Sequence, residues 1–247
     1  MASLVELAFP EIEYPESDGQ PIGETDFHFT TIILLVQALR DYFAEQPVYV
    51  AGDLMFYYEQ GNPHAVKAPD VLVVKGVSKH KRRIYRLWEE QVVPCTIFEI
   101  TSKQTGSADL TTKYQLYERL GIKEYFLFDP LGEYLQPNLQ GFTLVKGRYQ
   151  ALPSAAEGEL ISRELGLILR PQGDLLRLVD SYTGQRLATS HEAVRRAELA
   201  EQRAQLEEKR ASVEAQRANS ETQRANLAEA KIIELQQELE RLRRKKN

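Results

Sequence analysis

Two carboxylates stand at the edges of strongly apolar segments of this 247-residue chain. Asp70 precedes the run VLVV, and Glu99 lies within CTIFEIT. An unpaired buried charge costs free energy, so the position of each carboxylate beside an apolar segment needs a physical explanation. Mg²⁺ prefers oxygen ligands from one or two carboxylates and keeps several waters. Neighbouring strands that each present one carboxylate, with the backbone carbonyl of Ile100 at the same edge, would suit a metal ion that activates water at a phosphodiester. The alternative is two strand-end acids bonded to local amides.

The segments that would position these carboxylates begin with a helix. GETDFHFTTIILLVQALRDYFAEQ has apolar residues at three- and four-residue steps, and Thr25 is its expected N-cap. VYVAGDLMFYY, PDVLVVKGV and CTIFEIT then predict three strands. The predicted buried stripe of the helix consists of Phe29, Ile32, Ile33, Val36, Leu39 and Phe43.

A second helix and further strands are expected after the third strand. SADLTTKYQLYERLG predicts a helix capped by Ser107 and ended by Gly121, and EYFLFDP predicts a short apolar strand. Hairpins are expected to turn at Lys146–Gly147 and at Thr183–Gly184. In this order, the segments predict an α/β domain, with a mixed sheet flanked by helices.

The end of the chain has a different pattern. From residue 190 it contains no Pro or Gly and repeats every seven residues, so it predicts one long helix. We expect this helix to form a coiled coil that makes the protein a homo-oligomer, with a dimer expected. The alternative is an isolated, solvated helix held by internal Glu–Arg pairs. One phase of the repeat holds Ala197, Ala204, Ala211, Ala218, Ala225, Ile232 and Leu239, and the other seam position holds Leu235 and Leu242. The expected divisions are a lead-in at 1–21, a domain at 22–189 and the tail at 190–247.

Composition limits the classes of function. Residues 192–247 have a net charge of +2, which leaves −7 for the rest of the chain. This negative charge in the residues before 192 is unfavourable for non-specific binding to nucleic acid, whose phosphates are also negative. No apolar run approaches the roughly 20 residues of a membrane span, and no secretory signal is visible. The single Cys95 excludes an internal disulfide, so we expect a cytoplasmic protein.

The motifs together resemble a known group of nucleases. The segments are APDVLVV at 68–74, FEITS at 98–102, DLTTKYQLYERLGIKEY at 109–125 and FDP at 128–130. They resemble the PD-(D/E)XK nuclease superfamily, and more closely the Uma-type (Uma-two) family of restriction-endonuclease-like proteins, abundant in cyanobacteria. The resemblance covers roughly residues 20–190. It implies a restriction-endonuclease-like core that uses Mg²⁺, with Mn²⁺ as the alternative ion. The biological role of the family is generally unassigned.

One residue departs from the superfamily pattern. The position two after the glutamate is a lysine there and Thr101 here. Lys113 could supply the missing charge from the following helix, because Asp109, Lys113 and Tyr117 share one helix face. The same spacing also permits a simple ion pair between Lys113 and Asp109. Lys103 is the other candidate, although it lies in a predicted loop.

The resemblance therefore implies an Mg²⁺-dependent endonuclease that acts on DNA. Its metal would be held by Asp70, Glu99, the carbonyl of Ile100 and Glu24, and Lys113 would assist catalysis. For Glu24 the alternative is an acid favoured by the N-terminus of its helix. The basic run KHKRR at 79–83 could bind a phosphate backbone or form a solvated loop. A different class of function also fits, in which the nuclease fold is an inactive scaffold and the coiled tail does the work.

Overall fold

The computed structural model of the protein describes residues 12–17, 25–101, 109–155 and 158–244. The helices are α1 (Asp26–Tyr42), α2 (Leu87–Glu90), α3 (Tyr114–Leu120) and α4 (Ser190–Arg244), and a π-helical turn, Asp109–Lys113, runs directly into α3. The strands are β1 (Val48–Gly52), β2 (Phe56–Tyr57), β3 (Val66–Lys67), β4 (Val71–Lys75), β5 (Tyr85–Arg86), β6 (Thr96–Ile100), β7 (Glu124–Phe128), β8 (Leu139–Val145), β9 (Arg148–Ala151), β10 (Leu160–Ser162), β11 (Leu167–Gln172) and β12 (Leu175–Asp180).

The main sheet has six strands in the order β1-β4-β6-β7-β8-β9. All neighbours in it are antiparallel except β6 and β7, which run parallel. A parallel pair needs a crossover connection, and here the connection contains the π-helical turn and α3. Two smaller sheets, β10-β11-β12 and β3-β2-β5, complete the strands. The predicted mixed sheet flanked by helices is confirmed.

Both faces of the main sheet are buried, which explains why its central strands are apolar almost without interruption. One core cluster joins α1 and the β10–β12 sheet to one face, through residues such as Leu39, Phe98 and Leu169. The other joins α3 and β2 to the opposite face, through residues such as Phe56 and Tyr117. The side chains of a strand alternate between faces, so Glu99 faces the second cluster while its neighbours Phe98 and Ile100 face the first.

Helix α1 begins where the sequence predicts, but its buried face differs. The side chain of Thr25 accepts a hydrogen bond from the N–H of His28 at 3.3 Å, which confirms the N-cap. The predicted stripe is wrong at Phe29 and Ile33, which are 58% and 36% exposed. His28 and Thr31 are buried instead. Counting apolar residues could not show this, because two polar residues complete the buried face.

Two strand predictions need correction, and one hairpin is confirmed. VYVAGDLMFYY is not a single strand, because Asp53 has a φ of +49° and its N–H bonds to Pro69 O and Asp70 O. Strand β12 pairs with β11 along its length. The segment after the expected turn at Thr183–Gly184 forms no strand, and it pairs with β12 only through an isolated bridge between Val179 and Arg186. The hairpin β8–β9 does turn at Lys146–Gly147, where both residues have positive φ.

The chain forms two compact units, Met1–Ser190 and His191–Asn247. The second contains α4, a continuous 55-residue helix, which confirms the predicted long helix. Its coiled-coil pairing remains a prediction, as does the three-part division of the chain. Within the described ranges, no helix has the length and apolarity needed to cross a membrane. Large apolar side chains on α4 are about half or more exposed, namely Leu199, Leu206, Val213, Leu227, Ile232, Ile233 and Leu235.

Candidate active site

Asp70 and Glu99 meet at one end of the antiparallel pair β4–β6. The register pairs Val71 with Phe98, so Asp70 and Glu99 occupy the next opposing positions. Asp70 Oδ2 accepts a hydrogen bond from the backbone N–H of Ile100 at 2.6 Å. This side-chain bond takes the place of the next backbone ladder bond and holds the carboxylate of Asp70 against the end of β6.

A residue that sequence analysis did not select also contacts Asp70. His28 Nε2 lies 3.2 Å from Asp70 Oδ2, and the imidazole is almost fully buried. His28 belongs to the first turn of α1, which lies beside this end of the sheet. The only sequence signal was its position four residues before Ile32 in the helix, and the spacing of the four histidines gave no hint of a shared site. A charged or neutral donor at Nε2 would orient the carboxylate of Asp70.

Glu99 is buried, with both carboxylate oxygens engaged. Tyr117 donates its hydroxyl hydrogen to Oε1 at 2.8 Å, and Lys113 Nζ lies 2.8 Å from Oε2. Burial raises the pKa of Glu99 to about 8, with the charges of Asp70 and Asp109 adding to the rise and Lys113 opposing it. Glu99 therefore takes up a proton more readily than an ordinary carboxylate, chiefly because it is buried and secondly because negative charges lie nearby.

Lys113 lies between two carboxylates. Its Nζ is 2.8 Å from both Glu99 Oε2 and Asp109 Oδ1, so the ion pair with Asp109 and the contact with the strand glutamate occur together. Burial would lower the pKa of Lys113, but the two carboxylates outweigh it and raise the pKa above its ordinary value. Lys113 therefore remains a cation beside Glu99.

Tyr117 and Thr101 complete the surroundings of Glu99. Burial and the adjacent Glu99 raise the pKa of Tyr117 well above its ordinary value, so its hydroxyl remains a donor. Thr101 lies on the same strand face as Glu99, two residues on. Its hydroxyl oxygen is buried and has no hydrogen-bond partner in the described ranges.

The donor set suits a hard divalent cation. The carboxylates of Glu99 and Asp109 flank the ammonium group of Lys113, and the charge of Asp70 acts on Glu99 from the neighbouring strand. The N–H of Ile100 faces Asp70, and the carbonyl of the same residue leaves the strand on that side. In the part of the chain that the structure describes, no three His, Cys, Asp or Glu side chains are grouped as a metal cage. Two carboxylates and a carbonyl are nonetheless sufficient for Mg²⁺, which keeps several waters.

Other charged residues lie outside the described part of the chain or in turns. Glu24 and Lys103 lie outside the described residues. Asp129 Oδ1 and Oδ2 accept four backbone N–H groups of the turn that follows β7, so this carboxylate stabilises the turn. Asp53 contacts the backbone of Asp70 through its N–H, but its position beyond the end of β1 is a turn.

Comparisons with known proteins identify the family of this chain. One similar solved structure is described as "a putative nuclease belonging to DUF820" from Anabaena variabilis ATCC 29413. It is 13% identical, with 64% of this chain and 86% of that chain covered and a TM-score of 0.42. A search of curated proteins found no match. The family model Uma2, described as "Putative restriction endonuclease", matches residues 3–172. Families of this class generally use divalent metals. The chain therefore belongs to the Uma2 family of restriction-endonuclease-like proteins.

Proposed function

We propose that this protein is an endonuclease that hydrolyses phosphodiester bonds in DNA with Mg²⁺ as its metal ion. The observation that supports this most is the meeting of Asp70 and Glu99 at opposing positions of β4 and β6, with Lys113 Nζ at 2.8 Å from Glu99. A carboxylate pair with an adjacent cation has the composition of a metal-dependent phosphodiesterase site. The carboxylates of Asp70 and Glu99 and the carbonyl of Ile100 would hold the ion.

Each residue of the site has a distinct part in this proposal. The bound metal would neutralise charge on the scissile phosphate and lower the pKa of a water molecule. Lys113 would place its positive charge beside the negative charge that develops on the phosphate oxygens. Tyr117 holds one oxygen of Glu99 by its hydroxyl, and His28 with the N–H of Ile100 holds one oxygen of Asp70. These contacts leave the carboxylates oriented before any substrate binds.

A cleavage assay with an isosteric variant tests the proposal. Purified full-length protein is incubated with supercoiled plasmid and Mg²⁺ or Mn²⁺, with and without EDTA, beside Glu99→Gln. The amide keeps the shape of the side chain and an oxygen that can accept from Tyr117, and circular dichroism checks that the variant is folded. We expect metal-dependent nicking by the wild type only. Equal cleavage by Glu99→Gln would exclude the assigned site.

A second candidate function is a nuclease-fold scaffold that works through α4. The observation that favours it is that both oxygens of Glu99 are already occupied, by Tyr117 and Lys113. A scaffold would neither cleave plasmid nor bind a metal ion through Asp70 and Glu99. A folded wild-type protein that fails in both respects would favour this second candidate.

A further inference from the structure

A groove of about 590 Å³ follows β1, the edge strand of the main sheet. Residues of β1 form its floor, and its charged lining consists of Arg40, Lys79, Lys81 and Arg82. No carboxylate is among the described residues that line it. The chain before residue 192 has a net charge of −7. Glu90 balances the charge of Arg82, and the other three cations make the groove a local reversal of charge. Such a reversal focuses a positive potential within the groove.

Three of these cations are tied to the fold. Lys79 Nζ donates to the carbonyls of Phe43 and Ala44 at the end of α1, at 2.7 and 2.5 Å. Arg40 Nε donates to the carbonyl of Val50 at 3.0 Å. Arg82 pairs with Glu90 through two nitrogens, and its guanidinium also lies 4.3 Å from the ring centre of Tyr49. The carbonyl bonds of Lys79 and Arg40 hold positive charge in place along the groove, whereas the charge of Arg82 is balanced by Glu90.

Lys81 differs from the other three. It is exposed, and it makes no hydrogen bond or ion pair with any residue in the described ranges. Its ammonium group can therefore contact a ligand without breaking an internal bond. Arg40 bonds to Val50 through its Nε, and its two terminal guanidinium nitrogens make no hydrogen bond to the described residues.

The groove leads to the candidate active site. Gly52 and Leu54 line its far end. The N–H of Asp53, which lies between them, donates to the backbone carbonyl of Asp70 at 3.3 Å. A Cβ added to Gly52 would lie only 3.2 Å from that same carbonyl, so β1 and the start of β4 are in close contact there. A chain of phosphates along the groove would thus arrive beside Asp70.

We propose that this groove binds the phosphodiester backbone of duplex DNA and directs it to Asp70, an inference that rests on the proposed function. Lys81 contacts a phosphate directly, Arg40 contributes its terminal guanidinium nitrogens, and Lys79 supplies fixed positive charge. Backbone contacts of this kind position a duplex without reading its sequence. The groove also explains how a protein whose residues before 192 are negative overall can bind a polyanion.

Fluorescence anisotropy with a labelled DNA duplex in EDTA tests the groove without cleavage. Full-length wild type is compared with Lys81→Ala, Lys81→Glu and Lys123→Ala. Lys123 is a matched control because it precedes β7, at the end of the parallel pair opposite Glu99, and its side chain is 64% exposed. Removing one lysine–phosphate pair lowers the slope of log affinity against log salt by about 0.9. We expect that change for Lys81→Ala, a larger fall in affinity for Lys81→Glu, and wild-type binding for Lys123→Ala.

Four outcomes would contradict the proposal that the groove binds DNA. These are wild-type binding by both Lys81 variants, an equally weakened Lys123→Ala, no binding by the wild type, or a Lys81 dependence seen with labelled RNA but not with DNA. The two proposals fail separately. Normal binding by the Lys81 variants while only Glu99→Gln loses cleavage would overturn the groove alone. Cleavage by Glu99→Gln would overturn the active site alone.

Discussion

The ammonium group of Lys113 lies 2.8 Å from the carboxylate of Glu99, although the two residues belong to a helical turn and to the strand before it. In the superfamily pattern, a lysine two residues after the glutamate would supply this charge from the same strand. Here that position is Thr101, whose hydroxyl cannot carry a charge. The turn Asp109–Lys113 is π-helical, and it sets Lys113 against both Asp109 and the strand. The site therefore gains its cation from a second element.

Removing this cation should destabilise the protein. Lys113→Met leaves Glu99 and Asp109 buried without their positive partner, and breaking a buried pair typically costs about 3–5 kcal/mol. Urea denaturation at pH 9, where Glu99 is ionised, should show a fall of that order in the free energy of unfolding. The double variant Glu99→Gln/Lys113→Met should recover much of the loss, because one of the two stranded charges is gone. Equal stability of Lys113→Met and the wild type would contradict the ion-pair geometry.

The raised pKa of Glu99 predicts how stability depends on pH. Its pKa is about 8 in the folded protein against an ordinary value of 4.5, so the folded state holds the proton more tightly. The stabilisation is fully present below about pH 4.5 and is lost as the pH rises through 8. Across this window, the loss cannot exceed about 1.4 kcal/mol per pH unit.

Denaturation of the wild type and Glu99→Gln from pH 5 to 8.5 checks this pH dependence. As the pH rises, the free energy of unfolding of the wild type should fall relative to that of Glu99→Gln. A difference that does not change with pH would show that Glu99 does not titrate in this window. Metal binding should strengthen over the same range, because a metal ligand must be deprotonated.

His28 should act through Asp70. In His28→Phe, Asp70 Oδ2 keeps the N–H of Ile100 but no longer has the imidazole nitrogen beside it. Removing a group that orients a metal ligand typically costs 10–100-fold in metal affinity or activity, so we expect about that increase in the Mn²⁺ dissociation constant. His28→Gln, which retains a donor, should recover part of the affinity. The exposed His64 provides the control: His64→Phe should bind Mn²⁺ as the wild type does.

The predictability of the fold and site differs by element. The strands around Asp70 and Glu99 could be predicted because their buried sheet demands continuous β-branched and aromatic residues. The buried side of α1 could not be predicted, because His28 is polar and contacts Asp70, which is 42 positions away in the chain. The break at Asp53 was also hidden, since apolar residues continue on both sides of it. The two partners of Lys113 were both foreseen as alternatives, but spacing alone could not show that they coexist.

The seam of α4 yields a separate prediction about assembly. We propose that α4 pairs with a second copy through Ile232 and Leu235, which lie three residues apart. Ile232→Glu should shift the mass measured by light scattering from dimer towards monomer, because it places a charge in the seam. Ile233→Glu makes the same chemical change one position away, off the seam, and Ile233 is as exposed as Ile232. It should leave the mass unchanged. A wild-type protein that is monomeric at all concentrations would exclude the pairing.

The most direct test of the central claim is a calorimetric titration of the full-length protein with Mn²⁺, without nucleic acid. Wild type, Asp70→Asn and Glu99→Gln are compared, since each amide preserves the shape of its carboxylate. If Asp70 and Glu99 hold one ion together, the wild type shows a binding site that either single substitution removes. Binding that survives unchanged in either variant would contradict the shared metal site and, with it, the catalytic role assigned to this end of the sheet.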